Sequence, residues 1–488
     1  MSHRLATGHG ARRRRGAARF VALLAVLSLV AGACSRGDDD VATGGDASST
    51  TAPPDGTNGG SGDGEAGPGD FGDLKDVCGP AEGDNADDTA QGVTSEEIKI
   101  GTISDPGFVG RPGLNQELFD ASNVFVEWCN EAGGINGRKI ELTERDAKLT
   151  EYKQRITEAC AEDFFLVGGG AVFDDTGQEE RLGCMLPDVP AYLVSPQARG
   201  ADLEAPPLPS ALDEIPIGVY QYLDKKFPDS TSKVGFMTGN VPATVTVDKQ
   251  NQEGVKTLGW DVVYQTQYNA AGEASWTPFA QAMQSNGVKG LVYTGEPENA
   301  ANLLKAFDDI QYELDWVVVG ANHLDDKFIE VGGPAVKNAY MLSAVVPPFL
   351  ADENPATQEY LELFEKYLPD GKSKALLGYN SFSAWLLFAT AAKECGSELT
   401  RKCVYDNAKS ITEWTGGGLH AASDPSSSQG PRCGMVVEAS PDGFAVPDDF
   451  ELTDGLFRCD DESVVKLEGD YGTGTTLESV GKSLDDLE

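Results

Sequence analysis

Histidine and basic residues are scarce in this chain. Only four of the 488 residues are His, and two of these, His3 and His9, fall within residues 1–33. A site with several His ligands for a metal is therefore excluded for the rest of the chain. The chain has 38 Lys plus Arg against 78 Asp plus Glu, and six of the Arg lie in residues 1–33, so the remainder carries 32 basic and 78 acidic residues, a formal charge of −46. Such a charge repels phosphate backbones and anionic lipid surfaces, which argues against nucleic-acid binding.

The apolar run near the N-terminus is short. It covers residues 20–30, fewer than the roughly 20 residues that a membrane-spanning helix needs. A basic stretch, residues 12–19, precedes the run, and the small residues 31–33 follow it. This order of zones predicts a signal peptide over residues 1–33 and therefore an exported protein. The pair Arg14-Arg15 fits both the twin-arginine route and an ordinary basic region, so both export routes stay open.

The residues at the predicted cleavage site, Val30-Ala31-Gly32-Ala33-Cys34, resemble the lipobox of bacterial lipoproteins. In that motif the cysteine is acylated after the signal peptide is cleaved, although Ala31 stands here where Leu is usual. The resemblance implies a lipid anchor at Cys34. The alternative is an ordinary signal peptide cleaved near Ala33, which leaves Cys34 as a free thiol.

Residues 34–93 differ in composition from the rest of the chain. They are rich in Gly, Asp, Ser, Thr and Pro, and Phe71 is their only aromatic residue. Such a segment buries too little apolar surface to fold on its own, which predicts a disordered tether. A flexible chain of about 60 residues spans roughly 40 Å, enough to hold a folded body away from a lipid surface.

Apolar runs alternate with amphipathic stretches along the rest of the chain. Strands are predicted at residues 98–103, 139–143, 164–167 and 191–194, with helices at residues 115–132, 151–161 and 177–185. After a break at residues 206–213 the alternation resumes, with strands at residues 233–237, 261–265, 290–293, 316–319 and 340–345 and helices at residues 215–227, 247–258, 278–285, 300–308, 357–367 and 379–393. Repeated strand–helix–strand units predict an α/β fold with parallel sheets covered by helices.

Two motifs in the first α/β unit are distinctive. Residues 92–101 read GVTSEEIKIG, and residues 130–140 read NEAGGINGRKI, in which a helix ends at two glycines and a tight Asn-Gly turn starts a strand. Together they resemble the opening of the type I periplasmic binding proteins, in particular the branched-chain-amino-acid type of substrate-binding lipoprotein that serves ABC importers. The resemblance runs from about residue 92 to the 460s.

This resemblance implies two Rossmann-like lobes with parallel sheets, joined by a three-segment hinge near residues 211, 345 and 420. Residues 94–211 plus 346–420 are expected to form the first lobe. Residues 212–345 plus 421–467 are expected to form the second, and residues 468–488 a C-terminal tail.

Eight cysteines follow Cys34, and an even number in an exported protein predicts disulfides. Cys395 and Cys403 flank a short turn, and Cys433 and Cys459 begin and end a strand-rich segment, so each pair is expected to bond locally. In a sheet of strand order 2-1-3-4-5 the second and third helices share a face, which predicts a Cys160–Cys184 bond and leaves Cys129 for Cys78. A zinc site is the alternative, but the chain has no C-x-x-C pair.

The sequence offers little for an enzyme. Gly168-Gly169-Gly170 and Gly416-Gly417-Gly418 lack the spacing of a phosphate-binding loop. The pairs Asp174-Asp175 and Asp325-Asp326 are expected on the surface of so acidic a chain, and His323 alone is a weak candidate for a general base. We therefore expect no catalysis, no cofactor and no metal, although an exported hydrolase stays an alternative.

A binding site, by contrast, has clear candidates. In open parallel sheets ligands bind beyond the carboxyl ends of the strands. The family's ligand contacts, carried to matching positions, together with the turn after the first strand, predict a site from Phe108, Phe173, Asp174, Ser195, Gln197, Asn240, Glu296, Asn322, His323 and Tyr379.

The predicted site departs from the amino-acid-binding pattern. Amino-acid binders supply small hydroxyl residues for the α-carboxylate in the turn after the third strand, where this chain has Ala171-Val172-Phe173-Asp174. An anionic carboxylate is expected to meet Asp174 unfavourably there and to find no hydroxyl group. Aromatic residues such as Tyr379 are expected to stack on an apolar ligand, and Asp174 and Glu296 to meet an amine or amide. The ligand is therefore expected to be an amino acid, an amide or another small metabolite.

The expected partners follow from the resemblance. They are a small-molecule ligand and the permease subunits of an ABC importer, with no nucleic acid and with membrane contact only through the lipid anchor. The protein is expected to be a monomer on the extracellular face of the cell membrane. A surface lipoprotein that senses a ligand and signals to a protein partner is the alternative.

Overall fold

Two mainly parallel sheets organise residues 67–488, the part of the chain that the computed structural model describes. The predicted signal peptide, Cys34 and the tether up to residue 66 lie outside these residues. Within residues 67–488 no helix is both long enough and apolar enough to span a membrane. The α/β fold with two lobes predicted from the sequence is confirmed.

The first lobe contains the smaller sheet. Its strands lie in the order β2-β1-β3-β4, all parallel. They are β1 Glu97–Ser104, β2 Lys139–Asp146, β3 Phe165–Val167 and β4 Asp188–Val189, and the helices between them are α1 Gln116–Ala132, α2 Tyr152–Glu162 and α3 Gln178–Gly183.

The second lobe contains the larger sheet. Its elements are β5 Glu214–Pro216, α4 Gly218–Lys226, β6 Val234–Gly239, α5 Pro242–Thr257, β7 Val262–Tyr268, α6 Thr277–Ser285, β8 Gly290–Thr294, α7 Pro297–Asp309, β9 Trp316–Val318, α8 Asp326–Gly332 and β10 Ala339–Ser343. After α9 Pro355–Tyr367, α10 Leu376–Lys393 and α11 Arg401–Ser410, the chain adds β11 Cys433–Ser440, β12 Gly443–Ala445, β13 Arg458–Cys459 and β14 Val464–Lys466. The strand order is β12-β11-β10-β9-β8-β6-β7, with β11 and β12 antiparallel to their neighbours and β14 paired with β5.

Helix α10 explains why the late helices return to the first lobe. Almost every residue from Gly378 to Ala392 is buried, so this helix needs apolar neighbours on all sides. It packs against α1, where the rings of Phe125 and Trp385 stack with their centroids 5.4 Å apart. The core of the first lobe is thus built from two distant parts of the chain.

Two of the connections between the lobes run side by side. Val345 and His420 form an antiparallel bridge. The amide of Val346 donates to the carbonyl of Leu419 at 2.9 Å, and the amide of Ala421 donates to the carbonyl of Ala344 at 2.8 Å. A third connection runs from β4 to β5.

The structure differs from the sequence at the tether boundary. Residues 67–93, assigned to the tether, lie on the first lobe, where the side chain of Phe71 is 0% exposed and its ring centroid lies 5.0 Å from that of Phe382. Placing the folded body's start at residue 94 is therefore wrong. Composition failed here because a few buried side chains, Phe71, Val77 and Val93, together with the Cys78–Cys129 disulfide attach an otherwise polar segment to the lobe.

The fourth strand also differs from its prediction. Residues 191–194 were expected to form it, but β4 is Asp188–Val189. Pro190 follows directly and has no backbone N–H to continue the ladder. Ser195 and Gln197 consequently lie in a loop well beyond the end of the strand.

The last residues, 468–488, run from the second lobe back to the first, and we call them the C-terminal strap. The hydroxyl of Tyr471 donates to Glu253 on α5 at 2.5 Å. The amide of Thr475 donates to the carbonyl of Gln197 at 2.9 Å, and Leu477 and Leu487 are buried against the first lobe. The tail is therefore a packed connection between the lobes.

Four disulfides are present among the described residues. They join Cys78 to Cys129, Cys160 to Cys184, Cys395 to Cys403 and Cys433 to Cys459, with Cα–Cα distances of 5.3, 5.9, 6.0 and 4.1 Å. These are the pairs that the spacing and the helix-face argument predict. The Cys78–Cys129 bond attaches the N-terminal segment to the end of α1.

Candidate functional site

A cavity of about 450 Å³ lies at the carboxyl ends of β8 and β9. The connection between β4 and β5 closes one side of it, and α4 and α5 contribute further walls. Most of the lining is apolar, and it includes Ile215, Val219, Val292, Val318 and Leu342. Its charged side chains are Arg199, Glu214 and Glu296.

The turn after β8 positions two of the predicted residues in the wall. Gly295 adopts a φ of +153°, and a Cβ at this residue would lie 1.7 Å from the hydroxyl of Tyr268, so only glycine fits. The side-chain amide of Asn322, after β9, donates to the carbonyl of Gly295 at 3.1 Å. Glu296 and Asn322 are therefore held at adjacent strand ends, and both line the cavity.

Arg199 lines the cavity from the loop after β4 and is only 6% exposed. Its Nε donates to the carbonyl of Ser210 at 3.2 Å, its Nη1 to Oε1 of Gln250 at 3.1 Å, and its Nη2 to the carbonyl of Ala211. Among the described residues no carboxylate forms an ion pair with it. Burial lowers the pKa of Arg199 to about 10, which still leaves the guanidinium charged at neutral pH.

Asp174 fixes the conformation of the loop that contains Arg199. Its carboxylate accepts hydrogen bonds from the amides of Val194 at 2.7 Å and Ser195 at 2.9 Å. The Ser195 hydroxyl in turn accepts from the amide of Ala198 at 3.1 Å. Burial raises the pKa of Asp174 to about 7. Asp174 and Ser195 thus shape the backbone beside the cavity, and neither lines it.

Glu214 is the buried acid of the cavity. Its Oε2 pairs with Nη2 of Arg432 at 3.2 Å and with Nζ of Lys466 at 3.3 Å. Its Oε1 is buried without a hydrogen-bond partner among the described residues. Arg432 and Lys466 therefore offset the charge of Glu214, although Lys466 also pairs with Asp213 at 3.2 Å.

Glu296 connects the cavity to the first lobe. Its carboxylate forms an ion pair with Arg111, which lies in the loop after β1 and also pairs with Glu298 at 2.7 Å. Arg111 is 29% exposed and Glu296 is 38% exposed, so water reaches the pair. The rim of the cavity is one place where the two lobes meet.

His323 lies behind the cavity wall. Its ring is fully buried, its Nδ1 lies 3.0 Å from the carbonyl of Gly320, and its edge meets the rings of Tyr293 and Phe328. Burial lowers its pKa to about 3, so the imidazole is neutral at physiological pH. Its surroundings are those of a packing residue.

The other predicted residues lie away from the cavity. Tyr379 is 1% exposed and packs on Tyr360 in the core of the first lobe, with centroids 4.1 Å apart. The side chain of Asn240 accepts from the amide of Ala270 at 3.0 Å and caps a strand end. The half-buried Phe108 and Phe173 and the exposed Gln197 are not among the lining residues.

Sequence reasoning missed Arg199, Glu214 and Arg111. The one available signal for Arg199 was that arginine is uncommon in so acidic a chain. Arg199 also stands only two residues after the predicted Gln197. Nothing in the local sequence indicates that Arg199 is buried. Among the described residues no group of His, Cys, Asp and Glu is arranged to hold a metal ion.

Residues 219–444 match the family model described as periplasmic binding protein. No curated protein matches the chain. Several solved structures share its fold at low sequence identity. A fatty acid ABC transporter substrate-binding protein from Thermomonospora curvata is 17% identical, with a TM-score of 0.63, and the match covers 77% of this chain and 95% of that one.

Two amino-acid transport proteins share this fold at similarly low sequence identity. A branched-chain amino acid ABC transporter protein from Thermus thermophilus with bound valine is 14% identical, with a TM-score of 0.60 and coverage of 74% of this chain and 98% of that one. A branched-chain amino acid transporter substrate-binding protein from Streptococcus pneumoniae in complex with isoleucine is 15% identical, with a TM-score of 0.59 and coverage of 72% and 100%. Residues 219–444 thus match the periplasmic binding proteins, and the described body has the type I fold that the sequence resemblance implied.

Proposed function

We propose that this protein is an exported solute-binding lipoprotein that captures a small molecule between its two lobes and delivers it to an ABC permease. The observation that carries the proposal is the largely apolar cavity of about 450 Å³ at the carboxyl ends of β8 and β9. In open α/β sheets this is the edge at which ligands bind. Similar folds named for fatty acids and branched-chain amino acids make such solutes the first candidates.

The proposal includes closure of the lobes around the ligand. The paired connections at Val345 and His420 lie between the two cores, where a small change in backbone angles would move one lobe relative to the other. Residues 94–211 with 346–420, and residues 212–345 with 421–467, are the two bodies proposed to move. Residues 67–93 belong with the first.

Binding without catalysis fits the side chains around the cavity. A hydrolase needs a nucleophile with a base, a carboxylate pair or a metal. His323 is neutral and packed, and His420 is 3% exposed with a pKa that burial lowers to about 4. Neither has the exposure or the basicity that a general base at the cavity would need.

A screen of small solutes tests the proposal. The chain that follows the signal peptide, with Cys34→Ser to prevent acylation, would be heated with each solute in turn. A ligand at 100 times its Kd stabilises the folded state by about 2.7 kcal/mol, a readily measured rise in Tm. The solute should be recovered unchanged, and scattering should show a smaller radius of gyration with it bound. A solute that emerges chemically altered would reopen the hydrolase alternative.

The anchor and the transport role need their own tests. If Cys34 is acylated, the full-length protein should enter the detergent phase in a phase-separation assay, and Cys34→Ala should stay in the aqueous phase, because two acyl chains give a stable membrane hold. Delivery to a permease predicts that the protein co-purifies with permease subunits in the presence of ligand. Co-purification with a signalling protein instead would favour the sensing alternative.

A further inference from the structure

We propose that Arg199 binds the anionic group of the ligand, and that the ligand is a monocarboxylate with an apolar body. This inference rests on the proposed function, because it names the class of solute that the cavity would capture. It concerns a residue that lies outside the turns in which the sequence places the ligand contacts. Three observations carry it, namely the unpaired charge of Arg199, the composition of the walls and the balance of nearby charges.

The first observation is that Arg199 is buried without a carboxylate partner among the described residues. Its three hydrogen bonds go to two backbone carbonyls and to the side-chain amide of Gln250. A guanidinium has five N–H groups, so two remain to meet a ligand. Its fork geometry matches a carboxylate, which can accept two parallel hydrogen bonds from it.

Other buried arginines in the chain are satisfied by the protein itself. Arg145 and Arg181 each have a carboxylate oxygen at 2.8 Å, from Asp163 and Glu204 respectively. Arg138 has no carboxylate, but it donates four hydrogen bonds to backbone carbonyls and does not line the cavity. Arg199 differs from all three because it both lines the cavity and keeps unused donors.

The second observation is the apolar character of the remaining walls. Ile215, Val219, Val292, Val318 and Leu342 come from separate elements of the second lobe and line the same space. Polar side chains such as Thr244, Asn251 and Asn322 also line this space, but apolar surface predominates, so a ligand with many hydroxyl groups would lose more hydrogen bonds to water than the walls replace. An alkyl or aryl body gains free energy from the same walls in proportion to its buried apolar area.

The third observation is that the buried acid of the cavity does not oppose an anion. Glu214 pairs with Arg432 and with Lys466, and Lys466 also pairs with Asp213, so the two cations offset the two carboxylates and this group has no net negative charge. Glu296 lies at the rim and pairs with Arg111. The carboxylate of Asp174 is near enough to raise the pKa of Arg199, but it accepts hydrogen bonds from the amides of Val194 and Ser195 and forms no ion pair with the guanidinium. An anion at Arg199 would therefore meet a cation that is not paired with a protein carboxylate.

The experiment compares carboxylates with their neutral amides. The probes are hexanoate, 4-methylpentanoate and phenylacetate with the three corresponding primary amides, titrated into the full secreted chain carrying Cys34→Ser. Each acid and its amide have nearly the same shape and apolar area, so a difference between them reports the charge. We expect the acids to raise Tm and to bind more tightly than the amides.

Substitutions of Arg199 then test whether this residue causes the difference in binding between acids and amides. Arg199→Gln should weaken binding of the acids by at least roughly 20-fold and should leave any weak binding of the amides unchanged. Arg199→Lys, which keeps the charge but loses the fork, should fall between the wild type and Arg199→Gln. Arg155→Gln removes the same charge from a half-buried residue of α2 that does not line the cavity, and it should leave the binding of acids and amides unchanged. Each ligand-induced shift is read against the variant's own unliganded Tm, so that a change in stability is not counted as lost binding.

The outcomes separate this inference from the function on which it rests. Equal binding of acids and amides, or full affinity for the acids in Arg199→Gln, would overturn the role of Arg199. If none of the six probes binds but the wider solute screen yields a ligand of another class, the inference is wrong and the capture function stands. If no solute of any class binds, both are wrong.

Discussion

Arg111 of the first lobe and Glu296 of the second lobe form an ion pair across the opening between the lobes. Glu298 also forms an ion pair with the guanidinium of Arg111, at 2.7 Å. A second pair, between Lys374 before α10 and Asp326 on α8, spans the lobes at 2.9 Å. Because Glu296 also lines the cavity, the contact that joins the lobes is part of the candidate ligand site.

Replacing Arg111 should therefore loosen the two lobes. We expect Arg111→Gln to increase the radius of gyration of the unliganded protein, measured by small-angle scattering, and to lower the free energy of unfolding by less than about 1 kcal/mol, since the pair is partly exposed. High salt should have a similar effect on the wild type, because it screens exposed charges. Arg155→Gln, whose partners Glu151 and Glu158 lie in or beside the same helix, is the matched control. An unchanged radius in Arg111→Gln would show that the pair does not hold the lobes.

The N-terminal segment should contribute to stability. Phe71 is fully buried against Trp128 and Phe382, so Phe71→Ala should lower the free energy of unfolding by about 3–5 kcal/mol in urea denaturation. Phe108→Ala, at a half-buried site in a loop, is the control and should cost much less. Equal effects of the two substitutions would mean that residues 67–93 are not a stable part of the body.

The C-terminal strap should protect the loop that carries Arg199. Thr475 bonds to Gln197, and Leu477 packs against Leu182, Met185 and Leu203. Leu477→Ala should lower stability by about 2 kcal/mol or more and should speed amide hydrogen exchange around residues 197–203. Leu484→Ala, on an exposed strap residue, is the matched control. Exchange that rises equally in both variants, or in neither, would contradict the assigned role of the strap.

The sequence predicts the layout of the sheets because hydrophobic periodicity and short connections are local signals. Strands such as Glu97–Ser104 and Lys139–Asp146 were placed to within a residue or a few residues by their apolar runs. The positions of Phe71 and of the strap could not be predicted from these local signals. Their positions depend on contacts with residues far along the chain, and a polar composition conceals a few strongly buried side chains.

The site was less predictable than the fold. Glu296 and Asn322 line the cavity because strand ends can be read from the sequence, and parallel strands bring their ends together. Arg199 could not be assigned to the site from the sequence, because it lies in a loop that extends beyond the short β4. The carboxylate of Asp174 fixes the course of this loop through hydrogen bonds from the amides of Val194 and Ser195. Asp174 itself looked like a ligand contact, since sequence alone does not show that two backbone amides occupy its carboxylate.

A cluster of buried carboxylates should make stability depend on pH. Asp188 lies near Arg181, Asp174, Glu204 and Tyr152, and its Oδ1 has no hydrogen-bond partner among the described residues. Burial raises the pKa of Asp188 to about 7, the nearby Arg181 opposes the rise, and Asp174 adds to it. The unfolded chain has a pKa near 4 at this residue. Asp188 therefore binds its proton more tightly in the folded state than in the unfolded state. The stability that this difference contributes is fully present below about pH 4 and is lost as the pH rises through about 7.

Asp188→Asn should remove this dependence. At pH 8 the variant should have a higher free energy of unfolding than the wild type, by an amount on the order of a few kcal/mol, because no buried charge forms. At about pH 3, below the unfolded pKa, Asp188 is protonated in both states and the two proteins should differ little. Asp174→Asn should behave differently, since an amide has one acceptor oxygen for the two amides that the carboxylate now binds, and it should destabilise the protein at both pH values. Urea denaturation at the two pH values, with the exposed Asp175→Asn as control, checks the prediction. A loss of stability in Asp188→Asn at pH 8 would show that the charged form of Asp188 is favourable in the folded protein, contrary to the raised pKa.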